Sequence, residues 1–465
     1  MKIKFGTDGW RAIIAKEYTV DNVARVAKAT ADWIKNSSDN HSVVIGHDCR
    51  FAGEMFAQAA ARVLADNGVK VYIAKDFVST PMVSLGCKHY KTFAGIVITA
   101  SHNPPSYNGF KLKSHFGGPT VPADIAKVEA LIPDEFKVPE ASMEDFEKQG
   151  LIEYVDLETL YIDHCKNSFD LDAINNSNIT LAYDAMWGAG KNVVKQLLPE
   201  SKFLHVGDNP GFLGVAPEPI HRNLQKLSDL IAGDDGITAG LATDGDADRI
   251  GMYNDKGEFV DSHHLILLLI HYMVKYKKMT GKVIVAFSVT DKVKKLCEHY
   301  GLEYEVTKIG FKYICEKMVV EDALLGGEES GGIAIKGHIP ERDGIWMGLT
   351  LLEFMAKSGK TIPELIEEVY EIVGPFAFNR NDMHITDELK HGTMQKCADD
   401  AFKTFGNYGV KKVETIDGYK FFFENDSWLM MRPSGTEPVL RVYAEAENYA
   451  EVDNILNAAK QVILN

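Results

Sequence analysis

Over roughly the first 370 residues, short apolar, β-branched runs alternate with stretches whose apolar residues recur every three or four positions. The runs 43–45, 71–74 and Gly95-Ile96-Val97-Ile98 read as buried strands. Between them, a helix opening near Asp21 carries Val23, Val26, Ala27, Thr30, Trp33 and Ile34 on one face, and a second covers about 53–66. The theme returns as a strand at 179–183, a helix from about 191, a helix near 223–232 and a strand at 237–242. It returns again as a helix at 262–277, a strand at 283–287, a helix from 290, a strand at 304–306, a helix from about 310 and a strand at 323–325. Such alternation predicts largely parallel sheets covered by helices. The last 95 or so residues differ: a helix at about 387–404, strands at 412–416, 419–424 and 428–431, a strand at 439–444 and a closing helix. Asp417-Gly418 supplies a hairpin turn among them.

The expected fold class is therefore α/β: three similar α/β domains with mixed, mostly parallel sheets, then a small α+β domain. The polar stretch around 133–155 reads as an exit from the first unit, and the chain divides as 1–155, 156–259, 260–371 and 372–465. In each α/β unit an apolar strand empties into a polar loop. These are Thr99-Ala100-Ser101-His102-Asn103-Pro104, Thr243-Asp244-Gly245-Asp246-Ala247-Asp248-Arg249 and Gly326-Gly327-Glu328-Glu329-Ser330-Gly331-Gly332. Open α/β sheets bind ligands at such strand ends.

Size and charge narrow the classes. A chain of 465 residues exceeds one core, and a formal charge of -16 argues against nucleic acid or an anionic membrane surface as partner. The six cysteines are scattered without a C-x-x-C pair, as in a reduced cytoplasmic protein. The start, Ile3-Lys4-Phe5, is strand-like rather than a signal h-region, and the apolar run 265–270 is a buried helix too short to span a bilayer.

The loops carry the candidate chemistry. Asp244, Asp246 and Asp248 alternate with small residues, so the chain can curl and aim three carboxylates at one centre, which calls for a hard divalent ion, Mg2+ first. A calcium EF-hand would need glycine and glutamate where Arg249 and Asp255 stand. Arg432-Pro433-Ser434-Gly435-Thr436 combines an arginine, two hydroxyls and a glycine into an anion nest, with Arg441 on the next strand; a plain hairpin with a surface arginine reads equally well. Glu328 and Ser330 suit sugar hydroxyls, though flexible acidic turns look alike. Lys111, beyond an Asn108-Gly109 turn, is a surface charge or a proton carrier on the loop of Ser101. From local pattern Ser101 itself is a turn serine; its company makes it a candidate nucleophile.

Together these loops resemble the α-D-phosphohexomutase superfamily, the phosphoglucomutases and phosphomannomutases, over nearly the whole chain. The tail Tyr107-Asn108-Gly109-Phe110-Lys111, the opening Phe5-Gly6-Thr7-Asp8-Gly9-Trp10-Arg11 and the full phosphate loop to Pro438 belong to the same resemblance. It implies a heart-shaped molecule of four domains around a central cleft, each giving one loop. It implies a phosphate on Ser101, whose oxygen completes the coordination of one Mg2+ per chain held by Asp244, Asp246 and Asp248. The phosphoserine would convert a hexose 1- or 6-phosphate to a hexose 1,6-bisphosphate and recover the other phosphate. Arg11, His102 and Arg249 become compensating charges, and Lys111 the general base. Glu328 and Ser330 become readers of the sugar, and Arg432, Ser434, Gly435, Thr436 and Arg441 the holders of the distal phosphate. Where some bacterial members carry a histidine, this chain has Gly332. His338, Arg342 and the segment Gly310-Phe311 instead resemble glucose-type enzymes, making His338 the candidate for the second acid/base and Arg342, Gly310 and Phe311 substrate residues. The expectation is a glucose-preferring mutase that also accepts mannose, working as a monomer or weak homo-oligomer. The alternatives are a phosphoglucosamine mutase, a metal-dependent sugar phosphatase and a non-catalytic sugar-phosphate-binding regulator. A serine hydrolase is disfavoured because no G-x-S-x-G elbow surrounds Ser101.

Overall fold

In the computed structural model the described residues are 2–434 and 439–464, and they form four sheets. The first orders its strands Trp10–Ile13, Tyr107–Ser114, Ala94–Ile98, Ser42–His47, Lys70–Ala74 and Ile152–Val155, with Gly118–Pro119 beside the second of these. Its last four strands are mutually parallel, while Tyr107–Ser114 runs antiparallel to both neighbours. The second sheet runs Phe259–Val260, Ile250–Tyr253, Ala239–Thr243, Leu181–Asp184 and Lys202–Leu204. The third runs Tyr304–Thr307, Lys282–Ala286, Ala323–Gly327 and Ile333–Ile335. The fourth is antiparallel throughout: Ala377–His384, Val439–Ala446, Trp428–Pro433, Tyr419–Phe423, Tyr408–Glu414 and Thr404–Phe405. Strands Ala94–Ile98, Ala239–Thr243 and Ala323–Gly327 are buried at every position, as runs covered on both faces must be.

Three expectations need correction, and one strand was missed. Lys111 lies on no loop: Asn108 and Gly109 sit inside strand Tyr107–Ser114, opposite Ala12 and Arg11, so the apparent turn is ordinary ladder. The stretch 133–155 ends in strand Ile152–Val155, which joins the first sheet. The helix expected at 387–404 stops at Ala398, followed by Asp400 with a left-handed φ of 52°. Strand Ala377–His384 escaped notice because its alternation is polar.

The first three units share one continuous core, running through Val83, Leu157, Leu241, Ile266 and Leu352. The C-terminal unit has its own core and meets the third unit where Phe287 packs with Trp428, Met430 and Tyr443. Glu445 lies buried at that seam with its Oε2 unpartnered, and burial pushes its carboxyl up to about 7 although Thr290 and Lys420 oppose the shift. The native state therefore keeps this proton to higher pH than the unfolded chain, and stability falls as pH rises from about 4.5 to 7, by on the order of 3 kcal/mol. Glu445→Gln is expected to flatten that fall, checked by comparing melting temperatures of both proteins at pH 5 and pH 8.

Candidate active site

Strand Ala94–Ile98 delivers the chain to Thr99, whose hydroxyl accepts the Ser101 N–H at 2.8 Å and donates to Asp48 Oδ2 at 2.5 Å. Ser101 is 1 % exposed and takes a left-handed φ of 51°, a conformation costing a β-carbon residue about 1 kcal/mol or more. What holds it there is Arg50. Its guanidinium donates to the carbonyls of Ser101 and Asn103 at 2.6 Å each, of Pro104 at 2.9 Å and of Tyr107 at 3.1 Å. Asp48 pairs with Arg50 at 3.3 Å, and the Phe212 ring lies 5.1 Å from the guanidinium. Burial still lifts the Asp48 carboxyl to about 6. No motif flagged Asp48 or Arg50 in the sequence; the only signal was a buried-strand exit carrying two opposite charges. Arg50→Ala is expected to destabilise the fold by about 3–5 kcal/mol, because it strands Asp48 uncompensated in the interior. Chemical denaturation measures it, and Arg50→Lys should recover little, lacking the planar fork.

Ser101 Oγ donates to Asp244 Oδ2 at 2.7 Å. This approach requires Gly245, since a β-carbon there would meet the Ser101 carbonyl at 2.6 Å. The small residue between the first two aspartates thus serves contact between loops as well as curvature. Asp244, Asp246 and Asp248 are fully buried, with ligand atoms within 4.8 Å of one another. Asp244 Oδ1 accepts the backbone N–H of Asp248 and Arg249, at 2.9 and 3.1 Å, and Asp246 Oδ2 accepts the Thr80 hydroxyl at 2.5 Å. Asp246 Oδ1 and Asp248 Oδ1 are buried without a hydrogen-bond partner among the described residues. Burial and the two neighbouring aspartates push the Asp244 carboxyl well above the usual range. Two orphaned carboxylate oxygens beside a serine hydroxyl fit a hard divalent cation.

The protein's own cations close around this centre. Lys111, 0 % exposed, places Nζ 2.8 Å from Asp8, 2.7 Å from Asp246 and 3.0 Å from Asp248. Against the opposing effect of burial, these carboxylates hold the ammonium above the usual lysine range. Arg342 donates to Asp8 and, at 2.6 Å, to Asp248, and its guanidinium carbon lies 5.6 Å from the Phe311 ring centre. Arg11 donates to Asn103 Oδ1 at 2.6 Å and pairs with Asp8 at 3.8 Å. His102 sits with Nδ1 3.3 Å from Ser101 Oγ and Nε2 3.5 Å from Arg249. Burial first, then Arg249 and Arg11, push its pKa well down, so the ring is neutral. Arg249 also faces Glu218 at 3.6 Å. Thr80 and Glu218 had no part in the sequence reading, and Asp8 entered it only within the opening segment, without a role.

On the third loop, Glu328 lies 3.7 Å from Arg342, and burial raises its carboxyl. Ser330 is half-buried beside it. A β-carbon at Gly332 would stand 3.1 Å from Arg342 Cγ, so Arg342 fills the place that a histidine would need. His338 does not join the cluster. Its ring stacks on Trp346 at 3.7 Å and bonds Asp343 at 2.9 Å and His164 at 3.1 Å, with no exposed side-chain surface. Asp343 is itself the cap of helix Gly344–Ser358, so this histidine braces a helix start. Gly310 opens helix Phe311–Val320 with a φ of 132° and approaches Thr7.

In the C-terminal unit Arg432 and Arg441 face each other across adjacent strands. Arg432 pairs with Asp417 at 3.3 Å, while Arg441 Nε is buried without a hydrogen-bond partner among the described residues. The Ser434 N–H donates to the Val439 carbonyl at 2.9 Å. Gly435 and Thr436 lie outside the described residues.

With this geometry in hand, the chain was compared with known proteins. Family models described as phosphoglucomutase/phosphomannomutase match in order: alpha/beta/alpha domain I at 2–138, domain II at 159–257, domain III at 261–373 and the C-terminal domain at 394–461. A "Phosphoglucomutase/phosphomannomutase" of Thermococcus kodakarensis is 29% identical, covering 96% of this chain and 94% of its own. A "Probable phosphoglucosamine mutase" of Pyrococcus furiosus is 31% identical, covering 99% and 97%. A solved structure described as a "putative phosphomannomutase" from Thermus thermophilus is 33% identical, covers both chains fully and superposes with a TM-score of 0.89.

Proposed function

The chain belongs to the phosphoglucomutase/phosphomannomutase family, and from that premise we propose that it interconverts hexose 1-phosphate and hexose 6-phosphate, glucose preferred and mannose accepted, through phosphorylated Ser101 and a hexose 1,6-bisphosphate. Family members are mutases, isomerases that work by phosphoryl transfer. The observation that carries the reading is Ser101 Oγ at 2.7 Å from Asp244, beside two orphaned aspartate oxygens. The division at 1–155, 156–259, 260–371 and 372–465 gives each domain one of the four loops.

In this reading Asp244, Asp246 and Asp248, with the Ser101 phosphate, hold one Mg2+, which supplies charge neutralisation at the transferring phosphoryl group. As the Oγ–P bond breaks and the sugar oxygen takes phosphorus, the hydroxyl proton needs an acceptor. Lys111, whose Nζ sits among Asp8, Asp246 and Asp248, is assigned that role, and it must first release its own proton because those carboxylates hold it as the ammonium. Arg11, Arg249 and Arg342 balance the phosphoryl charge, and neutral His102 offers a hydrogen bond without adding a charge. Arg432, Ser434, Gly435, Thr436 and Arg441 hold the other phosphate, and Gly310 and Phe311 shape the wall beneath Arg342. His338 keeps only a bracing role. We place the enzyme in the cytoplasm as a monomer or weak homo-oligomer; among the described residues no helix is long and apolar enough to cross a membrane.

Substrate turnover requires two opposite poses, and flipping the ring roughly exchanges the 3- and 4-hydroxyls. Glu328 and Ser330 read those two, which glucose, mannose and glucosamine share. The names of relatives favour a second reading, a phosphoglucosamine mutase. A coupled assay of the three 1-phosphates decides between them: the proposal expects glucose best and mannose within roughly 100-fold in kcat/KM. Glu328→Ala should damage all three alike. A glucosamine preference beyond about 10⁴-fold would assign the enzyme to amino sugars.

A further inference from the structure

Facing residues of paired antiparallel strands project to the same side of a sheet. The register Arg380↔Tyr443↔Met430 and Asp382↔Arg441↔Arg432 therefore puts all six on one face of the C-terminal sheet. One end of that face is apolar, where Phe378, Trp428, Met430 and Tyr443 pack on Phe287 of the third unit. The other end is charged, and its three arginines differ in what they hold. Arg432 has Asp417, Arg441 Nε has no hydrogen-bond partner among the described residues, and Arg380 reaches Glu329 of the sugar loop at 3.2 Å.

Arg380 does not need Glu329 for neutrality, because Asp382 on its own strand already pairs with it at 3.1 Å. Other polar contacts join the two units: Asp417 accepts the Ile309 N–H at 3.0 Å, and Lys420 pairs with Asp291 at 3.0 Å. Among the described residues, the Arg380–Glu329 pair alone of these three reaches the loop of Glu328 and Ser330. Glu329 sits between those two in the chain, and Ser262 donates to its carbonyl, tying that point of the loop to the start of helix Ser262–His271.

We propose that Glu329 is a positioning residue, whose ion pair with Arg380 latches the C-terminal unit to the sugar loop. The pair sets the distance between the arginines that take the distal phosphate and the residues that read the sugar. This rests on the mutase reading above. Without the latch the arrangement that holds these arginines beside the sugar loop is less populated, and apparent affinity falls by the fraction lost.

The test is a double-mutant cycle of Glu329→Gln, Arg380→Gln and both together, with Asp382→Asn as control. Each single variant should raise the KM for glucose 1-phosphate about five- to ten-fold while kcat moves much less, and the double variant should be no worse than either. The control should keep its KM within about two-fold, since the Glu329 contact survives it. Small-angle scattering of the substrate-free proteins gives a readout independent of turnover: the radius of gyration should increase in all three cycle variants. An unchanged radius, or KM effects that simply multiply, overturns the latch. If the wild type turns over no hexose phosphate, the mutase reading fails, and the scattering comparison still decides the latch.

Discussion

Ser101→Ala is expected to fold as the wild type does and to lose mutase activity by roughly 10⁴-fold or more, the usual consequence of removing a covalent nucleophile. Folding should survive because the loop is held through its backbone. Arg50 binds the carbonyl of residue 101 and Thr99 accepts its N–H, so the hydroxyl contributes only its side-chain bonds to Asp244 and His102. Alanine meets the same left-handed φ of 51° as serine, so strain is unchanged. Melting temperature and turnover should therefore separate cleanly. A variant retaining more than a tenth of wild-type activity would remove Ser101 from the reaction.

Asp246→Asn should give the second large effect. It deletes one charge from the buried triad while preserving shape, and the amide cannot accept from both Thr80 and Lys111 and still offer a carboxylate oxygen to a cation. Turnover at saturating Mg2+ should fall on the order of 10²-fold, with a further loss at limiting Mg2+ that added metal restores. Hexose phosphate binding should persist, because Arg432 and Arg441 stand on a separate sheet. Calorimetric titration with glucose 6-phosphate, beside kinetics across Mg2+ concentrations, measures both. Full activity at limiting Mg2+ would make the aspartate loop a structural element.

How much of this was legible beforehand depends on where each partner lies in the chain. The three strand exits were readable because local apolar runs and polar loops are written in consecutive residues. The convergence of Ser101 with Asp244 followed from placing both at carboxyl ends of parallel strands. Arg50, Asp8 and Thr80 were not readable, since each earns its place through contacts made tens to hundreds of residues away. Lys111 was misplaced because Asn-Gly, a turn signal in isolation, is overridden here by pairing on both sides of the strand. His338 misled for the opposite reason. Histidine near an acidic motif suggests chemistry, yet its ring is packed in a cluster with Trp346 and His164. Strand Ala377–His384 stayed hidden because its core-facing positions, Ala377, Asn379, Asn381 and Met383, are only half apolar, while its other face carries Arg380 and Asp382.

The most direct test of the phosphoserine account is mass spectrometry of the wild type after exposure to glucose 1,6-bisphosphate and removal of the sugar. The account predicts a single phosphate adduct, mapped by peptide fragmentation to Ser101, that disappears when glucose 1-phosphate is added and reappears in the sugar as bisphosphate. A fully active enzyme with no adduct, or with its phosphate on another residue, would contradict it.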